Sequence, residues 1–147
     1  MSLQEWLKNA WLTKHSASRR EIADLFGVAD RDVADCQTAG LSPDWKLSIA
    51  YNAALQTATA ALAAAGYRAA REAHHFRIIQ SLAHTVGVEA HLIAQFDRFR
   101  KKRNIGDYER AGMISEQEAK EMLALALRLR EDVEQWLHAN YPDLMPD

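Results

Sequence analysis

Residues 42–66 read SPDWKLSIAYNAALQTATAALAAAG, and this stretch decides the fold. Ser42 is placed to cap a helix, and Pro43 suits a helix's first position, where no amide hydrogen is needed. Gly66 ends the run. Between them alanine dominates, with nine alanines from Ala50 to Ala65. Alanine is the best helix former, and its small side chain lets a neighbouring backbone come close. The large apolar residues are few: Trp45, Ile49, Leu55 and Leu62. The pattern predicts a central bundle helix over about residues 44–65. Asn52, Gln56, Thr57 and Thr59 leave the stretch too weakly hydrophobic to span a membrane.

The flanking segments read the same way. Leu3 to about Lys14 predicts a short helix carrying Trp6, Leu7, Ala10 and Trp11. Ser18 and Glu21 have capping-box spacing and open a helix with Ile22, Leu25, Phe26, Ala29 and Val33 on one face. The run from Ala39 to Pro43 is the clearest linker. Downstream, two helices are expected over about residues 69–86 and 89–104, bounded by Gly66, Gly87 and Gly106. Ser115 and Glu118 form a second capping box and open the longest helix, to about Asn140. Met122, Leu125, Leu129, Val133 and Trp136 make its core face. Glu116–Lys120, Arg128–Asp132 and Arg130–Glu134 pair on its exposed face. No stretch alternates with the period of a strand. The expected fold is all-α: an antiparallel up-and-down four-helix bundle over residues 43–147, with an N-terminal helical extension over residues 1–42. Trp45, Leu62, Phe76, Leu82, Phe96, Leu125, Leu129 and Trp136 are expected to share one core.

Composition narrows the function classes. A chain of 147 residues suits one domain. A net charge of -2 excludes a protein that coats polyanions indiscriminately, though it leaves room for a local basic patch. The single cysteine, Cys36, excludes an internal disulfide framework and a cysteine-rich zinc module. The first twelve residues mix Gln4, Glu5, Lys8 and Asn9 with apolar ones, so no signal-peptide core can be drawn there. A cytoplasmic protein without membrane attachment is the expectation.

The densest chemical feature is Arg98-Phe99-Arg100-Lys101-Lys102-Arg103. Cations near a helix C-terminus complement its dipole, which accounts for Arg100, Lys101 and Lys102. Arg103 differs, because it shares a face with Phe96 and Phe99 and is drawn inward with them. A half-buried guanidinium needs a partner. Asp107 is the first choice and Glu72 the second, either as a structural ion pair or within an anion or nucleotide site. Glu72 and His75 are expected on the inner face of their helix with Ile79, Leu82 and Val86, where they could meet Arg103. The histidines offer no ligand pairing beyond the Glu72-Ala73-His74-His75 run, so no metal and no cofactor are expected.

The segment Arg103-Asn104-Ile105-Gly106-Asp107-Tyr108, late in the third helix of the expected bundle, resembles the signature of HEPN (higher eukaryote and prokaryote nucleotide-binding) domains. Tyr51, Gly66-Tyr67 and Phe99-Arg100 are similar as well, and the resemblance covers about residues 43–141. It implies a homodimer with the arginine motif near the cleft between protomers. It also implies a toxin–antitoxin-like setting, with a separate antitoxin or nucleotidyltransferase polypeptide as partner. Ribonucleases of the family carry a histidine where Tyr108 stands. Metal-free RNA cleavage needs a group that exchanges protons near neutral pH, and a phenol with pKa near ~10 does not. The function implied is therefore a non-enzymatic nucleotide- or RNA-binding or protein-interaction module, with Arg100, Arg103, Asn104, Asp107, Tyr108, Glu72 and His75 as candidate ligand-binding residues. A divergent metal-independent ribonuclease, with His75 standing in for the absent histidine, is the alternative.

A third reading is a helix-turn-helix regulator, because Arg20 to Val28 followed by Val33 is similar to such a motif. Its reading helix would be Ala29 to Asp35, which carries three aspartates and one arginine and would be repelled by phosphate.

Overall fold

The structure is a computed structural model that describes residues 1–108 and 113–146, with side chains described for 1–103 and 113–146. It is mostly helical, in the order α1 (Leu3–Lys8), β1 (Leu12–Lys14), α2 (Arg19–Asp35), α3 (Pro43–Ala64), β2 (Tyr67–Ala69), α4 (His74–Ser81), α5 (Ala90–Tyr108) and α6 (Glu116–Asn140). A 3-10 turn, Pro142–Leu144, follows. Among the described residues no helix is long and apolar enough to cross a membrane.

Helix α3 lies at the centre and touches α2, α4, α5, α6 and β2. Its N-terminus is built as expected, with Ser42 Oγ accepting from the Trp45 amide and Pro43 in the first turn. Ala50, Ala53, Ala54, Ala58, Ala60 and Ala61 are all buried, so small side chains face neighbours on several sides. Thr57 is also fully buried and returns its hydroxyl to the Ala53 carbonyl at 2.9 Å. On the α2 side, Asn52 Nδ2 donates to Asp32 Oδ2 at 2.7 Å, which satisfies a carboxylate that is itself buried. On the α6 side, Arg130 holds Asp30 through two nitrogens at 3.0 and 3.3 Å while stacking 3.9 Å over the Phe26 ring. Arg130 also keeps the expected bond to Glu134 at 2.9 Å. Glu116 instead meets Lys46 of α3 at 3.5 Å.

Several expectations need correction. The helix drawn from Leu3 to Lys14 stops at Lys8, because Ala10 takes a left-handed φ of 61° and turns the chain into β1. β1 pairs antiparallel with β2, Leu12 opposite Ala69 and Lys14 opposite Tyr67. The short ribbon was invisible to periodicity, since three residues show no alternation. The helix drawn over 69–86 shrinks to His74–Ser81, because its first part is β2 and Ala73 has a left-handed φ of 54°. Helix α2 runs unbroken through Gly27, so the segment read as a helix-turn-helix contains no turn between two helices. Trp45 is 64% exposed: it sits in the first turn of α3, ahead of the first buried position, Leu47. Phe76 is only half-buried, at the mouth of a cleft.

Leu62, Leu82, Phe96, Leu125 and Leu129 do enter one core, with Trp136 packed against it. Trp6, Leu12, Ile22 and Phe26 belong to that same cluster. Replacing Leu129, 3% exposed, with alanine is expected to cost about 2–5 kcal/mol in a denaturant titration. The exposed Trp45→Ala should stay within about half a kilocalorie of the parent. Equal costs for the two would contradict this packing.

Candidate phosphate-binding site

The core closes around a tyrosine near the middle of α3. Tyr51 is 1% exposed, and the Phe96 ring meets it edge-on at 5.6 Å. The Arg103 guanidinium lies over the Tyr51 ring, 5.2 Å from its centre. Arg103 is half-buried, and its Nε is buried without a hydrogen-bond partner. The cation is thus held by an aromatic face, where desolvation strengthens the attraction. This corrects the expected carboxylate partnership as far as Glu72 is concerned. Glu72 is exposed in the turn before α4 rather than on a helix's inner face. Asp107, Asn104 and Tyr108 lie outside the residues whose side chains are described.

Tyr51 also reaches α4. Its hydroxyl lies 3.3 Å from His75 Nδ1. Burial pushes the phenol up to about 12, and Asp97 adds to the rise while Arg103 and Arg100 oppose it. The phenol therefore keeps its proton at neutral pH, and His75 Nδ1 is the acceptor placed to receive it. That assigns the hydrogen of a neutral His75 to Nε2. Burial lowers the His75 pKa, and Arg103, His74 and Arg100 lower it further, so the ring is uncharged at neutral pH.

Arg100, one turn before Arg103, donates from Nε to Asp97 Oδ1 at 2.7 Å. Asp97 is nearly buried, and Lys101 Nζ approaches its other oxygen at 3.6 Å. Lys102 is bound to Glu118 of α6. The basic run is therefore divided: Arg100, Lys101 and Lys102 meet carboxylates, Arg98 lies against Phe99, and Arg100 also faces a cleft. That cleft has a volume of about 410 Å³ and is lined by Ala73, His74, His75, Phe76 and Arg100. It is large enough for a nucleotide-sized ligand.

The sequence reading missed Asp97, which orients Arg100, and missed the packing that supports α4. Arg77 stacks 3.7 Å from the centre of the Trp11 ring and lies within 5.7 Å of Trp6 and 5.5 Å of Phe76. Asp97 carried a signal, because it stands three residues before Arg100 and four before Lys101 on one helix. Trp11 carried none, since its role depends on the unforeseen ribbon. Among the described residues no group of three or more histidines, cysteines or acids is placed to hold a metal ion. No family model, curated protein or solved structure matches this chain.

Two titrations follow. One of the four tyrosines should ionise near pH 12 by ultraviolet absorbance, and Tyr51→Phe should remove that phase. The raised value means that the stability Tyr51 contributes is complete below about pH 10 and is lost as the pH rises through 12. His75 behaves oppositely. Its folded value lies below 6.5, so its contribution is complete above that pH and is lost as the pH falls. Thermal melts from about pH 8 to pH 5 should fall less steeply for His75→Gln than for the parent protein. Parallel slopes would show that the ring does not sit as described.

Proposed function

We propose that the protein is a HEPN-like module, with α3 to α6 as its helical bundle, that binds the phosphate of a nucleotide or of RNA in the cleft between α4 and α5. One observation carries this reading: Tyr51 bonds His75 so that neutral His75 offers a donor, beside Arg100 and close to Arg103. The Arg100 guanidinium and a neutral N–H in the cleft, with the Arg103 charge close behind them, make a set suited to holding an anion. The same tautomer leaves His75 without a free lone pair while Tyr51 is bonded to it, which suits binding better than proton abstraction. The homodimer and the separate antitoxin or nucleotidyltransferase partner implied by the resemblance belong to this reading as well.

Divergent ribonuclease activity remains the second reading, favoured by one fact: Tyr51 joins His75 and Arg103 in a single cluster. Fluorescence anisotropy with a labelled single-stranded RNA tests the first reading. Arg100→Ala should weaken binding and flatten the slope of log affinity against log salt by roughly 0.7 per lost phosphate contact. An unchanged affinity and slope would sink it. Incubation of the same RNA with EDTA separates the two readings. Cleavage that persists in EDTA and disappears in His75→Gln would establish the ribonuclease.

A further inference from the structure

Two adjacent histidines face the cleft, and their surroundings fix them in opposite forms. His74 Nδ1 lies 3.1 Å from the Ala69 carbonyl and 3.2 Å from the Ala70 carbonyl. Carbonyl oxygens only accept, so Nδ1 carries the hydrogen and Nε2 of neutral His74 keeps a lone pair. His75 is reversed, its Nδ1 accepting from Tyr51 and its Nε2 carrying the hydrogen. The two ring centres are 6.0 Å apart, and both rings line the cleft with Arg100. His74 is exposed, so its acceptor is open to a ligand.

A cleft meant for an anion alone needs only donors. An exposed acceptor beside them suits a ligand that places a hydroxyl next to a phosphate. We propose that the cleft reads ribose as well as phosphate: His75 and Arg100 hold the phosphate, His74 Nε2 accepts a hydrogen bond from the neighbouring 2′-hydroxyl, and the site thereby prefers RNA to DNA. The 2′-hydroxyl, present in RNA and absent from DNA, lets a protein tell the two apart at a given site. This inference rests on the phosphate-binding reading above, and it assigns His74 as a specificity residue.

The backbone anchor and the reading atom of His74 can be separated by substitution. An asparagine amide can replace Nδ1–H at the Ala69 and Ala70 carbonyls, but it has nothing in the place of Nε2. The experiment is fluorescence anisotropy. The probes are a fluorescein-labelled single-stranded RNA, the DNA of the same sequence, and the RNA with 2′-O-methyl groups, which cannot donate. The parent protein should bind RNA roughly 3- to 10-fold more tightly than either other probe, the range of one neutral hydrogen bond. His74→Asn should bring RNA affinity down to that of DNA. Equal binding of RNA and DNA by the parent protein overturns this inference and leaves the phosphate site standing. Discrimination that survives in His74→Asn overturns it too. Failure of all three probes to bind overturns both readings.

Discussion

Everything in this molecule depends on how closely other elements can approach α3. A helix lined with leucine on every side would hold its neighbours at the usual interaxial spacing. Alanine at most inward positions brings them nearer, and α2 and α6 both take that closeness. The consequence is that few large side chains remain to fix the register. Polar and charged contacts supply part of it: Asn52 to Asp32, and Arg130 to Asp30 across α2 and α6. Bidentate arginine pairs and buried amide–carboxylate bonds are directional in a way that methyl contacts are not. Uniform small-residue packing is thus made specific by a few oriented bonds.

Tyr51 is the exception on α3 that makes a site. It is the one large polar-tipped side chain driven fully into the core there, and its ring and its hydroxyl serve different neighbours. The ring face carries Arg103 and the ring's flank meets Phe96, while the hydroxyl addresses His75. Three helices are thereby registered on one residue. The electrostatics follow from the packing: burial first, and then the two nearby guanidiniums, keep the half-buried imidazole uncharged. A second layer lies behind α4, where Trp6, Trp11 and Phe76 surround Arg77. Arg77 Nε is buried without a hydrogen bond, so aromatic faces rather than acceptors hold that cation.

The helical character was legible wherever a signal was both local and repeated. Ser42-Pro43, Ser18 and Ser115 each mark a helix start that the structure reproduces. The Ser18 box is half-formed, because Glu21 turns its carboxylate to His15 at 2.7 Å instead of to the cap backbone. Legibility failed where the backbone takes a conformation its residue type does not announce. Ala10 and Ala73 are left-handed, and nothing about an alanine signals that. Those two residues create the ribbon and shorten α4. At the site, the inward turn of Arg103 followed from its spacing with Phe96 and Phe99. Its aromatic partner could not be read, because Tyr51 lies more than fifty positions away and only the fold brings them together. The tautomers of His74 and His75 were equally hidden, being set by Tyr51 and by the carbonyls of Ala69, which ends β2, and of Ala70, which follows it.

The two-stranded ribbon has a kinetic meaning. Its paired residues stand more than fifty positions apart, joined by α2 and α3. Three residues a side cannot offset the entropy of closing so long a loop from a disordered chain. The ribbon must therefore form after α2 has docked on α3 and brought the two strands together. Any opening of the ribbon would loosen what packs on it. Trp11 and Leu12 would leave with it, along with the aromatic wall behind Arg77. The cleft's rear support thus waits on the docking of helices that do not themselves line the cleft.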